Sequence, residues 1–393
     1  MCASLLSILF SIAVSQILLG AALAALLLSR DKMRLPPIKL PLALFITGTV
    51  ISWFFSGHMR DGLPQIRKFF VFFVLLVVYS TFRKVSEIRA VTLLWAAVAT
   101  LSALFSLWQF WQKYHESQEL HRNFYNFYIA QRITGFMSHW MTFGGEEMIV
   151  LLMLAAYLFF SSDRRWKPAG WVCAGVLVIS MVLGFTRSIF LLGFPIGLLY
   201  LCWFWHKWLV AAAPVAAILA FLVSPIALKE RVRSTIQPHG QTDSNEHRLV
   251  TALTGIQMIR AHPWLGLGPE QIKYQFDRWV PADIPRPLPD GFYGHLHNIY
   301  LQYAAERGIP TMLAMMWLIG KVLWDFAAAL RAKLLSPEAR FVLHGAIAAI
   351  LAILAEGFLE FNLGDSEVLT LFLAVVSFGY IARQEMLAEK PLR

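Results

Sequence analysis

Three arginines and a histidine, far apart in the chain, have the chemistry to act on a phosphorylated substrate. They are Arg132 in Gln131-Arg132-Ile133-Thr134-Gly135, Arg187 in Phe185-Thr186-Arg187-Ser188, Arg248, and His297 in Gly294-His295-Leu296-His297-Asn298-Ile299. A guanidinium is planar, stays charged at any relevant pH and can grip two oxygens at once, so arginines that converge suit a phosphate or pyrophosphate. The plainer role for each arginine alone is a headgroup anchor whose stem snorkels along a helix end. His297 lies where a short helix begins. Exposed N–H groups and the helix dipole disfavour imidazolium there, and a neutral ring can take a proton from a hydroxyl. His295 competes for that role, and Asn298 stands next to His297 as a supporting residue. Asp365-Ser366-Glu367 lies near Glu360 and Asn362. These carboxylates suit a counter-charge for His297 or Arg187, a helix terminus or, less well, a divalent cation.

Other chemistries lack their residues. The sequence contains no Gly-rich phosphate loop, no Cys/His metal cluster, no G-x-S-x-G nucleophile and no Asp-x-Asp pair. The three cysteines, Cys2, Cys173 and Cys202, form neither a disulfide framework nor a zinc spacing. Neither a metal nor a cofactor is therefore expected.

The elements that must position these residues are set by composition. Of 393 residues, 58% are hydrophobic and only 15% charged, with a mean hydropathy of +0.59, which leaves too little polar surface to coat soluble domains. Apolar runs long enough to cross a bilayer as helices occur near 4–29, 38–56, 67–82, 88–112, 145–161, 168–186, 188–206, 208–227, 309–330, 341–359 and 367–383. The expected fold is thus an all-α polytopic membrane protein with about 11 spans (10–12). Residues 1–393 are read as a single membrane domain, with a long polar segment, 228–308, inserted between spans 8 and 9. The first run lacks a basic n-region and an obvious cleavage site, so it reads as a retained span.

Lys and Arg mark cytoplasmic loops. Arg30, Lys32, Arg34 and Lys39, then Arg83, Lys84 and Arg89, Arg164, Arg165 and Lys167, Lys207, Arg331, Lys333 and Arg340, and a tail with Arg383, Lys390 and Arg393 occupy alternate connections. This places the amino terminus outside and the carboxyl terminus inside. With Lys321 and Asp325 set aside as a self-neutralising pair within one span, the inner side carries 17 basic and 6 acidic residues, the outer side 16 and 17. The net charge of +10 therefore records orientation and gives no reason to expect nucleic acid. Arg132, Arg187, Arg248 and His297 all fall on the outer side. Nine of eleven histidines are outside too, at 58, 115, 121, 139, 239, 247, 262, 295 and 297.

Within the long outer segment, Asp243, Ser244 or Asn245 can cap a helix with an apolar stripe of Leu249, Ala252, Ile256 and Ile259, lying on the membrane surface and stopping at His262-Pro263. A tight turn, Trp264-Leu265-Gly266-Leu267-Gly268-Pro269, and a second polar-aromatic helix follow, and four prolines between 281 and 289 then impose an extended path. After the re-entry at 294–301, Arg307-Gly308 ends a short helix and Pro310 suits the first turn of the next span.

The stretch from Gly294 through His297-Asn298 and Leu301 to Gly308-Ile309 resembles the His-Asn-x-x-Leu…Gly signature of the O-antigen ligase and polymerase superfamily. Arg132-Ile133-Thr134-Gly135, Thr186-Arg187-Ser188 where the family often has Ser-Arg-Gly, and Arg248 followed by His262-Pro263-Trp264-Leu265-Gly266-Leu267-Gly268 agree with it. Together they cover roughly residues 130–365. The resemblance implies a GT-C-like glycosyltransferase of the bacterial inner membrane with its active site facing the periplasm. It implies a glycan on undecaprenyl pyrophosphate as donor and a metal-independent inverting displacement. A ligase would use lipid A-core as acceptor, a polymerase a second carrier-linked unit. It further implies His297 as general base, with Arg187, Arg248 and Arg132 at the pyrophosphate. The alternative from another class is a transporter of an anionic substrate, which would favour structural repeats and spans broken near the midplane.

Overall fold

The computed structural model describes residues 1–29, 32–236, 245–331 and 335–388. Arg30, Lys333, Lys390 and Arg393 among the basic loop markers, His239, and the candidate caps Asp243 and Ser244 lie outside the described residues. Helices make up the described chain, and no strand occurs among the described residues. Seven of the helices are long and apolar enough to cross a membrane and four shorter ones are similarly apolar, so each of the eleven expected runs has its counterpart.

The chain opens with α1 (Cys2–Ser7) and α2 (Ile12–Leu28), continues through α3 (Lys39–Phe55) and α4 (Met59–Arg67), and passes along the 3-10 stretch Lys68–Phe72 into α5 (Phe73–Thr81). The first expected span, 4–29, is not one helix. Ser11 breaks it in extended backbone and its side chain caps α2 by accepting from Val14 N, while Ser4 and Ser15 each donate to the other's backbone carbonyl at 2.9 and 2.8 Å. Serine hydroxyls inside an apolar run thus give the backbone partners where the ladder is interrupted.

Helix α6 (Val85–Glu119) has 35 residues, and α7 (Phe124–Ala130) then leads to α8 (Trp140–Phe160) and α9 (Lys167–Leu183). A π-helical turn, Ser188–Gly193, opens α10 (Phe194–Trp205), followed by α11 (Leu209–Val223), α12 (Ile226–Arg233), α13 (Asn245–Ala261) and α14 (Ile272–Trp279). The last helices are α15 (Ile299–Leu330), α16 (Pro337–Glu356) and α17 (Ser366–Ala388). Helix α8 is buried almost throughout from Thr142 to Leu158 and packs on α16, which packs in turn on α17; these three form the centre. Helix α11 buries none of its residues and forms the rim, its apolar side chains left for lipid.

At one end of the bundle, basic loop residues meet acidic partners. Arg89 approaches Asp163 and Glu338 at 3.5 and 3.6 Å, which ties three connections together. Lys321 pairs with Asp325 at 2.9 Å as the i,i+4 spacing predicts, and Arg383 joins at 3.2 Å.

At the other end, α13 turns His247, Val250, Thr251, Thr254, Gly255 and Met258 inward, packing against α15. The predicted stripe is split: Leu249 and Ile256 are exposed, while Ala252 is half-buried and Ile259 packs against the buried cluster that includes Met258 and Phe276. The tight turn after α13 has a structural duty. Leu267 N and Gly268 N donate to the carbonyls of Ala305 and Glu306 at 2.8 and 2.9 Å, and Ile309 N donates to Pro263 O at 2.8 Å. These bonds satisfy backbone groups freed where α15 breaks at Gly308, whose φ of 80° is open to glycine. A Cβ there would sit 2.0 Å from Trp264 O, and one on Gly266 2.3 Å from the Glu306 carbonyl carbon. Gly308→Ala is therefore expected to cost several kcal/mol by combined strain and clash and to sharply reduce the yield of monodisperse protein on size exclusion in detergent.

Candidate active site

All three arginines and His297 line one cavity of about 840 Å³ at the end of the bundle that carries the 228–308 segment. Each reaches it by a different local device. Arg187 follows Phe185, whose φ of 52° reverses the chain after α9, and it precedes the π turn that begins at Ser188. The wider π turn reorients the chain without glycine at Ser188, the position where the family often has one. The buried Arg187 guanidinium donates to Ser234 Oγ at 3.1 Å and Asn245 Oδ1 at 2.7 Å, linking it to the end of α12 and the start of α13. Arg132, in the loop after α7, donates to Ile129 O and lays its guanidinium over the Trp140 ring at 4.4 Å. Burial and then Arg231 lower its pKa to about 9, which still leaves it charged at neutral pH.

Glu360 is the hub. It is 2% exposed, accepts from Arg248 Nη2 through Oε1, and lies 3.1 Å from His297 Nδ1 through Oε2. Burial alone would raise its pKa, but Arg248 first and then His297 hold it at about 2, so it is a carboxylate at neutral pH. The Nε of Arg248 is buried with no hydrogen-bond partner among the described residues. His297 itself adopts φ 47° immediately before Asn298. Its ring is turned to Glu360, so that carboxylate governs the ring's electrostatics, where the sequence suggested the helix N-terminus. Its Nε2 faces Phe292 O at 3.2 Å, a carbonyl that His247 Nε2 also approaches at 3.0 Å.

His295 and His247 lie beside His297, with ring centroids at 4.1 and 4.9 Å. Burial, followed by the neighbouring His297, pushes His295 down to about 3 and His247 to about 4, so both are neutral at pH 7. His295 Nδ1 accepts from His297 N at 3.3 Å, which supports the loop that presents His297. Asn298 does not line the cavity. It caps α15, its Oδ1 accepting from Tyr300 N and Leu301 N, and its Nδ2 donates to Phe358 O. Asp365 lines the cavity and accepts from Thr142 Oγ1 at 2.8 Å, so among the described residues its hydrogen-bond partner is on α8.

Several lining residues were not singled out from sequence. Arg231, 4% exposed, donates through Nε to Phe185 O at 2.9 Å and adds a further guanidinium at the Arg187 side. Away from the arginines the lining changes character to Gln65, Lys68, Glu270, Lys273, Gln302 and Glu306. Gln65 Nε2 donates to Glu270 Oε1 at 2.6 Å, and Glu306 Oε1 accepts from Gln302 Nε2 and Glu270 N. The cavity therefore has a cluster of guanidiniums, a histidine centre backed by a carboxylate, and a mixed set of amides, carboxylates and two lysines, of which Lys273 pairs with Glu270.

An all-α polytopic membrane protein with guanidiniums and a carboxylate-paired imidazole converging in one terminal cavity is the class that fold and site define. Residues 172–316 match the Wzy_C family model, described as O-Antigen ligase, which bears out the superfamily that the motifs resemble. The matched stretch holds Arg187, Arg231, Arg248, the glycine turn and His297; Arg132, Glu360 and Asp365 lie beyond it. No individual curated protein matches the chain.

Proposed function

We propose that this protein moves a glycan from undecaprenyl pyrophosphate to a hydroxyl acceptor, such as a sugar of lipid A-core, at the periplasmic face of the inner membrane. The observation that carries this reading is the convergence of Arg187, Arg231, Arg248 and Arg132 with the His297–Glu360 pair in one cavity. With Glu360 as a carboxylate, Nδ1 of His297 is the nitrogen that keeps its proton. Nε2 faces the Phe292 carbonyl, which can only accept, so it serves as the proton acceptor once the acceptor hydroxyl has taken that carbonyl's place and the ring is the neutral Nδ1–H tautomer. That oxygen attacks the anomeric carbon from the face opposite the pyrophosphate, the carbon–oxygen bond to pyrophosphate breaks, and configuration inverts. Charge builds on the leaving oxygens, where fixed guanidiniums favour the transition state over the ground state. The arginines can do this without a metal.

Deletion in the native host followed by lipopolysaccharide analysis tests the proposal. Polymer stranded on the carrier with bare core is the expected result; single repeats on the core would instead indicate a polymerase, and an intact profile would remove both. Glu360→Gln is expected to lower turnover about a hundredfold, within the range general-base assistance supplies, because the amide neither fixes the ring tautomer nor neutralises Arg248. Initial rates with purified carrier-linked donor check this.

A further inference from the structure

A second cleft, about 860 Å³, opens beside the first and shares Arg132, Ser138 and Trp140 with it. Its floor is the far end of α6. At 1.5 Å per residue the 35-residue α6 is roughly 52 Å long against about 30 Å of hydrocarbon, so the part carrying Trp111, Gln112 and Glu116 stands clear of the apolar layer. Its other wall is the 131–138 loop. Gln109 clamps that wall in place, its Oε1 accepting from Thr134 N and Gly135 N at 3.0 Å each, and Lys113 Nζ donates to Gln131 Oε1 at 2.8 Å.

The lining pairs open aromatic faces with amides. Trp108 and Trp111 are 49% and 57% exposed, and Phe105 stacks on Trp108 at 5.3 Å. Aromatics that served only as interfacial anchors would point at headgroups from a convex surface; these line a concavity together with Gln109, Gln112, Gln131 and Glu116. A sugar ring presents apolar C–H groups on its faces, which lie flat on an indole, and hydroxyls at its edge, which need donors and acceptors side by side. The Gln112 carboxamide supplies both and Gln131 Nε2 adds donors, while Gln109 is spent on holding the loop. Lys113 and Arg132 are balanced by Glu116 and Glu119, so the cleft does not select a polyanion, and its polar lining disfavours an acyl chain.

We propose that this cleft is a saccharide subsite, holding sugar units of a glycan whose reducing or acceptor end lies in the adjoining cavity. Its role in transfer rests on the transferase reading above; its binding chemistry does not. Trp140, stacked with Arg132, lines both spaces.

The test uses the full chain in lipid nanodiscs and two probes without lipid or pyrophosphate. One is the oligosaccharide released by mild acid from the host's carrier-linked pool; the other is deacylated core oligosaccharide. Saturation-transfer NMR is expected to detect one of them, and which one tells donor sugars from acceptor sugars. Trp111→Ala is expected to weaken that binding about tenfold, with Trp111→Phe restoring most of it. Trp171→Ala, an exposed tryptophan on α9, is expected to leave it unchanged. Binding of neither probe, or equal loss in the Trp111→Ala and Trp171→Ala proteins, overturns the proposal. Loss of the transferase reading would show separately, as wild-type protein that binds the saccharide and transfers nothing.

Discussion

Replacing His297 by Ala is expected to abolish glycan transfer while the protein inserts and accumulates as the wild type does. Among the described residues lining the cavity, this imidazole has its Nδ1 3.1 Å from a buried carboxylate oxygen, Glu360 Oε2, with its Nε2 on the opposite side of the ring. General-base assistance contributes about 10²–10⁴-fold, and without it the acceptor hydroxyl must attack still carrying its proton. The ring packs on His247 and His295 but fills no core position, so its removal should leave folding intact. His295→Ala is the informative comparison. That ring holds the His297 backbone N–H, so a partial loss is expected from misplacement of the base. Initial rates with purified donor, set against protein abundance in membranes, separate the two. Wild-type turnover by the His297→Ala protein would falsify the assignment of the base.

How much of this was legible before the structure depends on which physical rule fixed each feature. Long apolar runs have one solution in a bilayer, so every expected span has a helix, and span parity brings Arg132, Arg187, Arg248 and His297 to one end. The break at Ser11 was hidden because a serine in an apolar run reads the same whether it bonds its own helix or caps the next. Arg231 was hidden for a related reason. In Lys229-Glu230-Arg231-Val232-Arg233 the alternating charges look like a solvated helix face, and only packing against the Phe185 carbonyl shows which one is buried. Three carboxylates in the last loop were equally good counter-charges on paper. The turn between α16 and α17 decides that Glu360 meets His297 and Arg248 while Asp365 bonds Thr142. The glycine turn and the helix break at Gly308 were each legible locally, but that they bond to one another across some forty residues was not.

Arg187→Lys is expected to cut turnover by about 10²–10³-fold, the loss seen when one preorganised donor to developing negative charge is removed. The substitution keeps the charge and changes its shape. The guanidinium is held as a plane by two acceptors from different helices, Ser234 Oγ and Asn245 Oδ1, and this fixes how its positive face meets the cavity. An ammonium is a point charge on a flexible stem, more strongly hydrated, and cannot hold both acceptors and still present a fork to two phosphate oxygens. Because the leaving pyrophosphate gains charge only as the bond breaks, the deficit should fall mainly on kcat, with a smaller change in KM for the donor. That division separates a group that stabilises the transition state from one that merely anchors substrate, which would raise KM with kcat intact. Steady-state kinetics over a range of donor concentrations measure it. A near-normal rate and donor affinity would make Arg187 a structural link between the π turn, α12 and α13, and would move the pyrophosphate site towards Arg248, whose buried Nε has no partner among the described residues.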